Sequence, residues 1–397
     1  MSKILLKDCV EILDSQRIPL SSAEREKLDK VYPYYGAQGI IDYVDRYIFD
    51  GEFILVAEDG NNLKSLAENI ATWATGQFWV NNHAHILGEK PDYCLRYIYY
   101  ILNSLDLRGY ITGSAQPKFN QENLARVELD LPDYKTQCDI AEVLTAIDSK
   151  IANNNAICST LEAMAKLLYD YWFVQFDFPD ENGKPYKSSG GKMVWNDELK
   201  REIPAGWEVK CVSDIGTLEQ NSVWPNDGMV YSHYSIPAFD DLHMPVREEG
   251  SVIESNKYLI PENCVLVSKL NPQFKRIWLI IKPQENAICS TEFLPIKASD
   301  VGINYLYEVV NSDAFSVHLS QKASSSTGSR KRIDPENCMA FQFAYDNRIA
   351  KLYNSKIASL VEQANQIPLE NQQLASLRDF LLPMLMNGQV KVGDHVS

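Results

Sequence analysis

Ile140-Ala-Glu-Val-Leu144-Thr-Ala-Ile147-Asp-Ser-Lys-Ile151-Ala-Asn-Asn154-Asn-Ala-Ile-Cys158-Ser-Thr-Leu161-Glu-Ala-Met-Ala165-Lys-Leu-Leu168 places its apolar residues at a strict 4-3-4-3 spacing. That is the seam of a coiled coil, a stripe narrower than a helix needs when it packs only on its own globular domain. Adding 213 to each position gives Tyr353, Ile357, Leu360, Ala364, Ile367, Asn371, Leu374, Arg378 and Leu381, the same seam with one charged exception. Asn154 and Asn371 each put an amide in a seam, which costs stability and fixes register. The matched seams predict two long antiparallel helices, each about 29 residues or roughly 43 Å along the stripe.

The helices close two halves of an internal repeat with a period of about 205 to 215 residues. Ile4-Leu-Leu-Lys-Asp-Cys-Val10 resembles Val209-Lys-Cys-Val-Ser-Asp-Ile215, a short alternating opening read as strand. Glu52 to Asn62 lies over Asn263 to Gln273, an apolar run ending in a polar, turn-rich tip. Val80 to Ile86 lies over Ile288 to Leu294, and Thr112-Gly-Ser114 with Glu122-Asn123 over Thr327-Gly-Ser329 with Glu336-Asn337. Few side chains are identical, but the order holds four times at nearly one spacing.

The fold expected is α+β (mixed α/β): two globular modules related by a pseudo-two-fold, joined by two long antiparallel coiled-coil helices. The first module spans 1–133, the central helix 134–178, a linker 179–206, the second module 207–345, and the C-terminal helix and tail 346–397. Phe176 to Gly191 is dense in Pro, Gly, Asn and Ser and reads as a flexible connector. Such a connector lets one chain mimic a dimer, with the helix as a ruler between two modules about one turn of duplex apart.

Composition narrows the function. An apolar fraction of 45% against 23% charged residues excludes general disorder. No apolar run approaches a membrane span and the start lacks a signal-peptide core, so a cytoplasmic protein is expected. Eight scattered cysteines without a Cys-x-x-Cys pair read as reduced thiols rather than zinc ligands or a redox pair. The net charge of −15 divides as −7 over residues 1–133, −3 over 134–206, −5 over 207–345 and 0 over 346–397. No segment is basic, so any nucleic-acid contact must come from local clusters or from a partner's charge, and binding by the chain alone should be weak.

Nearly the whole chain resembles the specificity subunits of Type I restriction–modification systems. The likeness rests on Tyr32-Pro-Tyr-Tyr-Gly-Ala-Gln-Gly39, Phe176-Asp-Phe-Pro with Asn182-Gly-Lys-Pro-Tyr-Lys187, Ile203-Pro-Ala-Gly-Trp207, Ser268-Lys-Leu-Asn-Pro272 and Cys289-Ser-Thr-Glu-Phe293. The resemblance implies two target-recognition domains, each reading half of a bipartite duplex DNA site. It also implies helices that dock two copies of an adenine methyltransferase subunit, which carries S-adenosylmethionine, and a restriction motor subunit that joins for cleavage. No catalytic residue and no cofactor is expected in this chain. Its acidity and the weak identity between its modules depart from a simple picture and point to two different half-sites.

DNA-reading candidates are polar residues on loops after the strands. In the second module these are Ser268, Lys269, Asn271, Gln273, Lys275 and Arg276, with Arg330, Lys331 and Arg332. In the first they are Asn61, Asn62 and Lys64, with Gln116 and Lys118. Tyr34 and Tyr35 read as packing residues with phenol tips available to phosphate.

Three other chemistries compete. An intrinsic methyltransferase would need a glycine-rich cofactor turn and an Asn/Asp-Pro-Pro-aromatic loop. Asn271-Pro-Gln-Phe274 resembles the second only faintly, and the first is missing. His83 and His85 share a strand face, a spacing that suits a metal but lacks a third ligand, so structural histidines are expected. Glu58 and Asp59, with Lys64 nearby, resemble a nuclease cluster but more simply accept a cytosine amine or face solvent. A coiled-coil adaptor that binds only protein would fit the helices, yet leaves the polar tips at matching positions without a purpose.

Overall fold

The computed structural model describes residues 2–60, 63, 69–113, 117–241, 243–324 and 331–393. It divides into two compact units, Met1–Ile151 with Gln373–Ser397, and Ala152–Gln372.

In the first unit β1 (Ser2–Leu5) runs into a single helical turn, α1 (Leu6–Cys9), and β2 (Glu11–Ile12) follows. After α2 (Ser22–Arg25) come β3 (Tyr32–Gly36), β4 (Gly39–Val44), β5 (Phe49–Ala57), β6 (Ala71–Val80) and β7 (Ala84–Gly88). Helices α3 (Leu95–Ser104) and α4 (Gln121–Ala125), strand β8 (Glu128–Leu131) and the long α5 (Tyr134–Tyr169) complete the first half of the chain. β1 pairs antiparallel with β8, and the remaining strands form a six-stranded sheet in the order β2-β7-β5-β6-β3-β4.

Ile54, Leu55, Val56 and Ala57 are all buried, so the end of β5 is covered on both faces. α3 supplies one of those covers with Tyr97, Ile98, Ile101 and Leu102, spaced along one side of a helix. Ile140 and Leu144 of α5 enter the same core, as do Leu385 and Met386 of the C-terminal helix. Asp133 starts α5 by accepting hydrogen bonds from the Thr136 amide and hydroxyl at 3.0 and 2.9 Å, an N-cap arrangement.

The second unit begins partway along α5. Beyond it lie β9 (Met193–Asn196), β10 (Arg201–Pro204), β11 (Glu208–Cys211), α6 (Val212–Ile215), β12 (Gly216–Leu218), β13 (Ser222–Val223), β14 (Val230–Tyr234) and α7 (Ile236–Asp241). Then come β15 (Val246–Glu249), β16 (Lys257–Leu259), β17 (Asn263–Ser268), β18 (Ile277–Ile281), β19 (Ala287–Ser290) and β20 (Phe293–Ala298). Three helices, α8 (Ile303–Asn311), α9 (Asp313–Lys322) and α10 (Pro335–Met339), precede β21 (Gln342–Tyr345) and the long α11 (Asn347–Met386).

This unit repeats the first with one break. β11 pairs with β21 as β1 does with β8. The four-stranded sheet β12-β20-β17-β18 matches β2-β7-β5-β6. However, β5 and β6 form one continuous hairpin, with Gly51 opposite Gly76 at positive φ, whereas the corresponding chain in the second unit is cut into β16–β19 and β17–β18. Pro261, which has no N–H to donate, stands between β16 and β17, and Lys282 and Asn286 at φ +52° end the ladder on the other arm. A second sheet, β13-β16-β19-β14-β15, results.

Two of the expected alignments shift by one residue. Leu6 N donates to Val127 O as Val212 N does to Phe341 O, so Leu6 matches Val212, and the opening expected as strand turns helical because Leu6, Cys9 and Val10 share one buried face. Glu58 N donates to His83 O as Lys269 N does to Glu292 O, placing His83 over Glu292.

The stretch expected as a flexible connector is folded. Phe178 stacks on Tyr186 and on Trp207, with ring centroids 4.7 and 4.9 Å apart, and Asp177 accepts from the Ser188 amide and hydroxyl at 2.7 and 2.6 Å. β9 and β10 form a hairpin that buries Ile203. The Pro and Gly residues serve tight turns between aromatic anchors, which composition alone does not distinguish from a loose tether.

Within the second unit the seam runs antiparallel. Asn154 Nδ2 donates to Asn371 Oδ1 at 2.9 Å and to Glu370 Oε2 at 3.0 Å, and Asn371 Nδ2 donates to Asn155 Oδ1 at 2.7 Å. Further along, Cys158 Sγ reaches Ala364 O and Tyr353 Oη donates to Ala165 O at 2.8 Å. Asn154 and Ile357 are buried, while Leu161, Leu168, Leu360, Ile367 and Asn371 are half-buried. In the first unit Ile147, Ile151, Leu374 and Leu381 are half-buried, and Arg378 answers the charged seam position by donating to Asp148 Oδ1 at 2.9 Å.

Candidate nucleic-acid interface

Each unit presents a tip where the central strand, the strand beside it and a distant loop meet. In the first unit, Glu58 just past β5 accepts Phe119 N on its carbonyl, and Thr112 and Lys118 exchange backbone hydrogen bonds at 2.9 and 2.7 Å. In the second, Lys269 just past β17 accepts Ile333 N, and Ser324 and Arg332 exchange the equivalent pair at 3.0 and 2.9 Å. One stitch, repeated in both units, holds the far loop against the end of the central strand.

The first tip is closed by ion pairs. Arg17 Nη1 donates to Glu58 at 3.1 Å and to Ala84 O at 2.9 Å, while its Nε donates to Asp14 O at 3.1 Å. His83 stands in the turn before β7, 2.7 Å from Asp59. His85 is buried, with Nδ1 on Asp14 at 2.5 Å and Nε2 on Phe119 O at 2.6 Å. Both its ring nitrogens are engaged in holding the fold and His83 lies off the strand, so the two do not converge on a metal. Burial works to raise the Asp14 carboxyl, but hydrogen bonds from His85 and Ile86 and the nearby Arg17 charge outweigh it and leave it below its ordinary value. Glu58 is thus paired with Arg17, and Asp59 is hydrogen-bonded to the His83 ring. Lys118 is exposed, 4.0 Å from Glu58. Asn61, Asn62, Lys64 and Gln116 lie outside the described residues.

At the second tip the expected residues gather and take different parts. Ser268 is buried, its hydroxyl accepting from Leu270 N at 3.2 Å, so it forms the turn and presents nothing outward. Asn271 sits at φ +50°, its amide donating to Lys331 O at 2.8 Å and its side-chain oxygen accepting from Lys331 N at 3.2 Å. The Asn-Pro-Gln-Phe run is therefore a turn stitched to 331–333. Lys275 places its ammonium on Asn311 O, and burial lowers its pKa.

Arg276 donates through Nε and Nη2 to both oxygens of Asp240 at 2.7 and 2.8 Å and lies over the Phe274 ring at 5.4 Å. Arg332 donates through the same two nitrogens to Glu292 at 3.2 and 2.6 Å. Hydrogen bonding to Arg276 holds the Asp240 carboxyl below its usual value. Gln273, Phe274 and Lys331 are exposed and Lys269 is half-buried; Arg330 lies outside the described residues.

Asp240, Glu292, Phe274 and Arg17 are the functional candidates that sequence reading missed. Asp240 is 36 residues from Arg276 and Glu292 is 40 from Arg332, and no periodicity links them. Tyr34, expected as a packing residue with its phenol tip available to phosphate, is buried in the packing, but its Oη is taken by the backbone of Leu20 at 2.9 and 3.3 Å.

Among the described residues no group of three His, Cys, Asp or Glu side chains is placed to hold a metal. All eight cysteines are free, four of them buried. No helix of the described residues is long and apolar enough to cross a membrane.

Residues 1–163 match the family model of the Type I restriction modification DNA specificity domain. A type I restriction enzyme specificity subunit of Haemophilus influenzae is 33% identical over 142 residues, 36% of each chain. Over its first 163 residues the chain is thus similar to Type I specificity subunits. The match spans about a third of that first relative's length, while the HindI specificity subunit of the same organism is 23% identical over 342 residues, covering 69% of this chain and 71% of that one. The crystal structure of the Type I S subunit from M. genitalium shares the fold, with a TM-score of 0.62 at 13% identity over 97% of this chain and 95% of that one.

Proposed function

We propose that the chain is the non-catalytic specificity subunit of a Type I restriction–modification complex. Its two modules each read one half of a bipartite duplex DNA site and direct an adenine methyltransferase and a restriction subunit to it. The observation that carries this reading is the repeated tip: one backbone stitch in both units, dressed with different polar side chains. A scaffold kept while its dressing changes is what two readers of different half-sites require. Lys118 in the first tip and Lys269, Gln273, Arg276, Lys331 and Arg332 in the second are the described candidates for contact; Asn61, Asn62, Lys64, Gln116 and Arg330 remain candidates by position.

The charge of −15 supports a division of labour in which partner subunits neutralise most phosphates. On α5, within the second unit, Ile157, Met164 and Leu167 form an exposed apolar face suited to a partner helix. The two-fold repeat fits two copies of the methyltransferase subunit, on which S-adenosylmethionine would reside.

Exchange of residues 207–345 for the corresponding module of another subunit tests the proposal through the methylated sequence. One half-site should change and the other persist. A change in both, or in neither, refutes the two-reader reading.

A further inference from the structure

The second tip carries two arginines in the same unusual posture, and the DNA-reading proposal above gives that posture a meaning. A guanidinium has two edges that each offer a parallel pair of N–H bonds, Nε with Nη2 and Nη1 with Nη2. In Arg276 the first edge is filled by Asp240, and in Arg332 it is filled by Glu292. Among the described residues neither Nη1 has a hydrogen-bond partner, so the second edge of each is left open.

Both arginines flank the end of β17: Arg276 O accepts from Ser268 N, and Arg332 bridges Leu270. The Arg332 side chain is 54% exposed; that of Arg276 is 16% exposed, its guanidinium lying over the 57% exposed Phe274 ring at the same tip.

We propose that Arg276 and Arg332 each read a guanine in the half-site of the second module, held for that task by Asp240 and Glu292 as positioning residues. The open edge matches guanine O6 and N7, the commonest bidentate base contact in the major groove. Each carboxylate fixes the plane of the fork before DNA arrives, so less side-chain freedom is lost on binding. It also cancels the arginine's net charge, which makes the pair a poor phosphate clamp and leaves directional hydrogen bonding as its main asset.

The first tip offers no such fork. Arg17 is spent on Glu58 and on the carbonyls of Asp14 and Ala84, and the position matching Arg332 is Lys118. Two G·C pairs are therefore assigned to the second half-site and none, by this device, to the first.

The test is selection from a random duplex library by the full chain assembled with its methyltransferase subunit, with module exchange showing which half-site belongs to residues 207–345. Wild type should demand G·C at two positions of that half-site. R332Q and R276Q should each lower the preference at one of them by about tenfold or more. R332K, which keeps the charge and loses the fork, should behave like R332Q. E292Q and D240N should weaken the same position as the arginine each one holds. The untouched first half-site reports that each variant is folded and assembled.

Full preference retained in R332K, or an R332Q that binds all duplexes more weakly with a shallower salt slope, would identify a phosphate contact and overturn the assignment while the two-reader proposal stood. A second half-site without G·C pairs would overturn it equally. Failure of the wild-type complex to select any sequence would instead refute DNA reading itself.

Discussion

Glu308 of α8 is 3% exposed, and among the described residues no arginine is hydrogen-bonded to it. Burial pushes its pKa up to about 7; Lys166 and Lys275 pull it down, and Asp170 and Glu162 push it further up. The native state therefore keeps this proton to higher pH than the unfolded chain does. Stability from the group is full below the ordinary glutamate value near 4.5, is lost as pH rises from there to about 7, and is level beyond. E308Q should match wild type at pH 4.5 and exceed it at pH 8 by about 3 kcal/mol, since each tenfold difference in proton affinity between the two states is worth about 1.36 kcal/mol. Urea unfolding at the two pH values measures this, and parallel pH curves for the two proteins would contradict it. Residue-scale reading of the sequence located the cations of the tips but not their state. Lys275, Arg276 and Arg332 are visible as charges; that Asn311, Asp240 and Glu292 hold them depends on contacts between strands and helices far apart in the chain.

Among the elements, the long helices were the most legible because a seam is a local, periodic signal. Arg378 broke the pattern only because its partner Asp148 lies just off the other seam. The amide pair of Asn154 and Asn371 is the seam's polar lock. Asn154→Leu takes the donor from the half-buried Asn371 side-chain oxygen, whose amide nitrogen still reaches Asn155, and should cost about 1 to 2 kcal/mol, whereas the N154L/N371L double variant should recover most of that loss. Thermal unfolding of both single variants and the double variant closes the cycle; additive single effects would show that the two amides do not act as a pair. The connector and the split hairpin were illegible for a shared reason. Pro and Gly mark turns in folded and loose chain alike, and only the stacking of Phe178, Tyr186 and Trp207 decides between them. One of the one-residue slips in the repeat lies where a strand gives way to a helical turn and the other in the tight turn before β7 and β20, and side-chain alternation over so few residues resolves neither.

At the scale of the whole molecule, an acidic chain with two matched scaffolds and two different sets of tip residues is suited to choosing a sequence more than to gripping a backbone. Grip should then come from the assembly, and choice from this chain. The most direct test is adenine-methylation mapping of genomic DNA from cells that contain the methyltransferase subunit with and without this chain. The account predicts that methylation at a defined sequence appears only with the chain present, and that the sequence consists of two unlike half-sites separated by a fixed, unspecified spacer. A single continuous motif, or the same methylation without this chain, would contradict it.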